Sequence, residues 1–187
     1  MPIRICGSKL LALGVLLALR AAVLSAQTQI ISLAATAPSD LSVTIQSGGV
    51  QTIAGVVDNA VNNFPTPVVI QTAWNLNPGQ TNTVNLMAYF SLPSQAMVGG
   101  STQIPSSRLL GRMTTGLPLT FTAITQNAVG GVGTAGGSLW LFSVNIGGAN
   151  KNASRTDNLD LQLNLVGFPP LAAGSYTGVL NIRAVTQ

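Results

Sequence analysis

Histidine and glutamate are absent from this 187-residue sequence, and cysteine occurs once, at Cys6. Each absence removes a kind of chemistry. General acid–base catalysis needs a group that titrates near working pH, most often histidine or a shifted carboxylate. Without histidine, neither a Ser-His-Asp nor a Cys-His constellation can be built, and the usual zinc ligand sets are out of reach. No cofactor is expected. Gly130-Gly131-Val132-Gly133 is followed by no Lys-Ser/Thr and by no helix that would aim N–H groups at a phosphate, so it reads as a loop.

Charge is scarce as well. Eight basic residues stand against four aspartates, a formal +4. Three of the eight, Arg4, Lys9 and Arg20, fall in residues 1–26, which have the pattern of a signal peptide. A basic start precedes the apolar run Leu10–Leu19, Arg20 follows the run directly, and Leu24-Ser25-Ala26 is a small-residue cleavage site. The run is too short for a membrane anchor, which needs about 20 apolar residues. The expected mature chain, residues 27–187, is a single exported domain, periplasmic, at the cell surface or extracellular, with no transmembrane segment. It keeps five basic and four acidic residues, a net +1. No basic stripe remains for a nucleic acid. Cys6 leaves with the leader, so the mature domain has no disulfide and its stability must come from burial. A surface polar through Asn, Gln, Ser and Thr has little charge repulsion to keep copies apart.

Helical periodicity is also missing from the mature part, and alternation takes its place. The apolar residues of Leu41–Gln46 are all odd-numbered. Val68, Ile70, Thr72, Trp74 and Leu76 share a parity, as do Val84, Leu86, Ala88 and Phe90, and Leu119, Phe121 and Ala123. Residues 139–146 are apolar on both faces, with Trp140, Phe142, Val144 and Ile146 on one side. Leu159, Leu161, Leu163 and Leu165 alternate with Asp160, Gln162 and Asn164, and Tyr176 to Ala184 form a last strand. Turn residues separate the runs, as in Ser47-Gly48-Gly49, Asn77-Pro78-Gly79 and Gly147-Gly148-Ala149-Asn150. The pattern predicts an all-β protein, an immunoglobulin-like antiparallel β-sandwich of about eight strands, with a closed barrel as the alternative. Residues 97–118 read as a long broken connection, and residues 130–137 as a mobile hairpin tip.

Few residues remain as candidates for a site. Asp157 and Asp160 are the closest carboxylates. A strand starting near residue 158 would turn Asp160 to solvent and leave Asp157 at the strand entry. That pair allows a carboxylate hydrolase or a calcium site with Asn158, against a plain solvated strand entrance. Lys151 and Ser154 have no spacing that supports a dyad, and Asn152-Ala153-Ser154 matches a glycosylation sequon. Trp74 and Trp140 fall on apolar faces and read as core. Tyr89, on the polar parity of its run, is the candidate exposed aromatic. Arg108 and Arg112 are candidates for holding an acidic ligand.

Ala173-Gly174-Ser175-Tyr176-Thr177-Gly178-Val179-Leu180-Asn181-Ile182 resembles the closing strand of the spore coat protein U and pilin-like sandwich families, in which a Gly-x-Tyr-Thr turn enters a terminal strand. The tyrosine also has a general explanation as a corner cap, its hydroxyl bonded to backbone. The resemblance implies an incomplete sandwich completed by β-strand addition from a neighbour. The candidate donor is Thr28 to Ala37, in which Ile31, Leu33, Ala35 and Ala37 alternate. The same stretch can also simply be the first strand of its own domain, and that reading comes ahead of donation. The chain departs from those families in lacking the disulfide that many members carry. Two functions are therefore expected. One is a non-enzymatic structural or interaction protein of the cell envelope, a fibre or coat subunit whose partners, other copies or an envelope protein, bind at sheet edges. The other is a secreted module that binds a glycan or another envelope component.

Overall fold

A computed structural model of the chain describes residues 28–36, 40–77 and 83–187. The expected leader, Ala37 and most of the Asn77-Pro78-Gly79 turn lie outside them. Thirteen strands form among the described residues: β1 (Thr28–Thr36), β2 (Leu41–Ser47), β3 (Val50–Ala54), β4 (Val61–Asn63), β5 (Val68–Asn75), β6 (Thr83–Tyr89), β7 (Met97–Gly99), β8 (Thr102–Ile104), β9 (Leu109–Met113), β10 (Thr122–Ala123), β11 (Ser138–Asn145), β12 (Asn152–Asn164) and β13 (Ser175–Thr186). The first sheet runs β11-β6-β13-β1-β3, with β7 beside β13 and β8 beside β7. The second runs β10-β9-β12-β5-β2, with β4 beside β12. The two pack face to face as an all-β sandwich. Among the described residues no helix is long and apolar enough to cross a membrane.

The alternating parity of the sequence becomes the core. Ile31, Ile70, Leu86, Leu161, Leu180 and Ile182 lie between the sheets, all at most 2% exposed. β2 and β3 are nearly continuous yet belong to different sheets, β2 pairing with β5 and β3 with β1. The crossing is made at Gly48-Gly49. Gly48 has φ 73, and a Cβ there would lie 2.5 Å from the Pro67 carbonyl oxygen, so a side chain is excluded both by conformation and by space.

Thirteen strands, against about eight expected, reflect connections that fold into short strands of their own. Residues 97–118 hold the β7–β8 hairpin, a 3-10 turn at Ser106–Arg108 and β9, which is an inner strand between β10 and β12. Leu119, by contrast, is 65% exposed, and only Thr122 and Ala123 of its run pair with β9. Residues 130–137 are not a free hairpin tip. They belong to a loop held by bridges Gln126–Ser138 and Val129–Val132. Met87 on β6 and Val132 in this loop are both buried, yet neither belongs to the main core. A Cβ on Gly133 would lie 3.3 Å from Met87 Cε, which places the loop over β6.

Trp140 needs a further correction. A register shift between Trp140 and Phe142 leaves Leu141 without a partner in the ladder to β6. The Leu141 carbonyl instead accepts from the Leu117 N–H at 3.0 Å. The bulge rephases the strand. Leu139, Leu141 and Phe142 are therefore all buried, while Trp140 is half-buried beside its register partner Met87, outside the main core.

Candidate functional site

β1 is not an edge strand. It lies between β13, to which it runs parallel, and β3, to which it runs antiparallel. Every other pairing in both sheets is antiparallel among the described residues. Alternation puts Gln29, Ile31, Leu33 and Ala35 on one side of the strand. Gln29 and Ile31 are fully buried, Leu33 packs against the core, and Ala35 is half-buried. Ser32 and Ala34 on the opposite side are exposed. Of the expected donor residues, the structure thus brings Ile31, Leu33 and Ala35 together on the inner face of the chain's own sandwich. Sequence reasoning passed over Gln29, although it has the same parity.

β13 provides one wall of this seat. Tyr176 is 1% exposed and its hydroxyl donates to the Ala172 carbonyl at 3.1 Å, fixing the turn that enters the strand. A Cβ on Gly99 would lie 2.6 Å from the Tyr176 ring, so a glycine there is what lets β7 approach. β3 provides the other wall. Its Gln51, 1% exposed and opposite Ile31, is satisfied: Nε2 donates to the Gly48 carbonyl at 2.9 Å and to Thr66 Oγ1 at 3.2 Å.

The carboxylates are placed differently from expectation. β12 starts at Asn152, so Asp157 lies within the strand and not at its entry. Asp157 is fully buried. Arg155 Nε donates to its Oδ2 and Arg155 Nη2 to its Oδ1, both at 2.6 Å, and Thr115 Oγ1 donates to Oδ1 at 2.7 Å. The Arg155 guanidinium lies 4.2 Å from the Phe142 ring centroid on the facing sheet. Asp160, three residues on, faces the other way as expected and accepts from Arg112 Nη2 at 2.6 Å. The two carboxylates cannot face one another across a substrate. Asp157 is fully buried, with both oxygens bonded by Arg155 and one also by Thr115, so it is turned into the protein and not toward a solvated calcium site with Asn158. Among the described residues no three His, Cys, Asp or Glu side chains gather to hold a metal ion.

The candidate binding residues are scattered. Arg112 is engaged by Asp160 and lies 4.6 Å from the Phe121 centroid. Arg108 donates to the Val166 carbonyl at 2.8 Å and lies 5.2 Å from the Phe168 centroid. Both arginines are thus already bonded within the protein. Tyr89 is half-buried on the outer face of the first sheet, away from both of them. Trp140 sits diagonally across the β6–β11 ladder from it, a neighbour that the bulge supplies and the sequence hid. Trp74 is core, its Nε1 donating to the Asn150 carbonyl at 2.8 Å. Ser154 and Lys151 are both exposed and form no dyad. The chain matches no family model, and no curated protein is significantly similar to it.

Proposed function

We propose that this protein is a non-enzymatic, exported subunit of the cell envelope that assembles by β-strand addition, with β1 as the strand exchanged between copies. The observation that carries this reading is the position of β1, an inner strand flanked by the C-terminal strand β13 and by β3. With the leader of residues 1–26 removed, β1 is attached to the body at one end only, through residues 37–39. Withdrawing it breaks no other strand. It does open two unpaired sheet edges and uncovers the seat of Ile31, which is the acceptor that β-strand addition requires. Exchange of an identical element between copies is a low-cost route to assembly, since each contact is replaced by the same contact from a neighbour. The near-neutral mature surface adds no long-range repulsion. The turn at Ala173–Thr177 and the pilin-like resemblance of β13 point the same way.

The test is assembly by the exported chain, followed by size exclusion with light scattering, beside a chain deleted for residues 27–39. The intact chain should form a ladder of oligomers. The deleted chain should be poorly soluble alone and become a folded monomer when a synthetic peptide of residues 27–37 is added. An intact chain that stays monomeric at high concentration and never takes up the peptide would show that β1 is only a structural strand.

A second reading rests on Tyr89 and Trp140, two half-buried aromatic rings adjacent on the outer face of the first sheet. Paired rings of this kind suit the apolar face of a sugar. Quenching of Trp140 fluorescence by an envelope glycan, lost in Tyr89→Ala, would favour a binding module.

A further inference from the structure

Two glutamines are buried in the first sheet, on neighbouring strands, and they differ in one respect. Gln51 of β3 has its amide bonded at both ends, to Gly48, and to Thr66, whose hydroxyl donates back to Oε1 at 3.4 Å. Gln29 of β1 is fully buried, and neither its Oε1 nor its Nε2 has a hydrogen-bond partner among the described residues. In register it stands between Tyr176 of β13 and Ile53 of β3. Neither neighbour offers a carbonyl or amide side chain. A primary amide carries two donors and an acceptor. All are stripped of water in the seat and regain it when the strand leaves, so the seated state is raised in energy relative to the released one. Parallel pairing with β13 adds to this, being slightly weaker per residue than antiparallel pairing. The walls of the seat are well satisfied; the strand in it is not.

We infer that Gln29 is the residue that sets how readily β1 leaves its own sandwich, a buried polar side chain that keeps the resident strand exchangeable. This inference rests on the strand-addition reading above. Its effect is on the rate of release. A second copy's strand entering in the same register would meet the same penalty, so the equilibrium between self-insertion and exchange is left nearly even while the barrier to leaving is lowered.

The experiment compares the full chain with Gln29→Met, which keeps the length and volume of the side chain and removes its polar atoms, and with Gln29→Glu, which puts a charge in the same place. Each is exported from a bacterial host, purified, and mixed with a fluorescein-labelled peptide of residues 27–37, and uptake is followed by anisotropy. Gln29→Met should slow uptake at least about tenfold, the equivalent of about 1.4 kcal/mol, and raise Tm. Gln29→Glu should speed uptake and lower Tm. If the unmodified chain takes up peptide and Gln29→Met does so at the same rate, or if Gln29→Met lowers Tm, the inference about Gln29 is wrong while strand addition stands. If the unmodified chain neither takes up peptide nor assembles, strand addition itself falls, and the inference with it.

Discussion

Asp157 and Asp160 stand three residues apart on β12 and live in opposite environments. Each pairs with an arginine at 2.6 Å, and each arginine lies over a phenylalanine ring, Phe142 in one case and Phe121 in the other. The same three-part unit is built twice, once between the sheets and once on the outer face of the second. The Asp157 side chain is 0% exposed and that of its arginine 25%, whereas Asp160 and Arg112 are 25% and 41% exposed. Strand parity alone separates them, because an odd interval reverses the face. The difference teaches that ion pairs of equal length need not have equal weight. Water reaches both members of the outer pair, whereas it has been removed from around the inner carboxylate.

The largest effect should come from breaking the inner pair on one side. Arg155→Met leaves a buried carboxylate with only Thr115 as partner, and urea denaturation should show a loss of about 3–5 kcal/mol. Replacing both members, Arg155→Met with Asp157→Leu, should recover most of that loss, because no uncompensated charge is left inside. A double replacement as unstable as the single one would mean that the pair itself, and not the orphaned charge, carries the stability. The outer pair should matter much less: Asp160→Asn should cost about 0–1 kcal/mol by the same measurement. Smallest of all is the response to salt. At 1 M ionic strength the Debye length falls to about 3 Å. The small difference between the unmodified chain and Asp160→Asn should then vanish, while the deficit of Arg155→Met persists.

Much of this architecture could be read in the residues, and the exceptions have physical reasons. The alternation of Leu159, Leu161 and Leu163 locates the inner face of β12, and continued backwards it reaches Asp157 and Arg155. The parity was visible, but an aspartate between two sheets is untenable until the arginine two residues away is seen to face the same way and bond it. β9 was hidden for a different reason. Leu109, Gly111 and Met113 alternate properly, yet the strand is only five residues long and sits in a Gly/Pro/Ser-rich stretch. A Cβ at Gly111 would lie 2.6 Å from Leu139 Cδ2, so the glycine that weakens the strand signal is one the packing requires. Residues 139–146 are apolar on both faces, which makes Trp140 read as core, and such a run does not reveal a bulge. The candidate assembly residues Ile31, Leu33 and Ala35 were found by their parity. Gln29 was not, because a polar side chain gives no hydrophobic signal.

The sequence by itself determined the class of this protein. Alternation, turn chemistry and the absence of helical periodicity leave only a β architecture, since side-chain direction along a strand is a local property with a period of two. The absence of histidine, glutamate and a second cysteine limits the chemistry through composition alone. Tertiary structure decided which strands are neighbours. That β1 lies between β13 and β3, that Leu117 bonds the Leu141 carbonyl at the bulge, and that a loop covers Met87 all depend on groups far apart in the chain. Pairing between distant strands is settled by the combined packing of two sheets, and no local pattern records it.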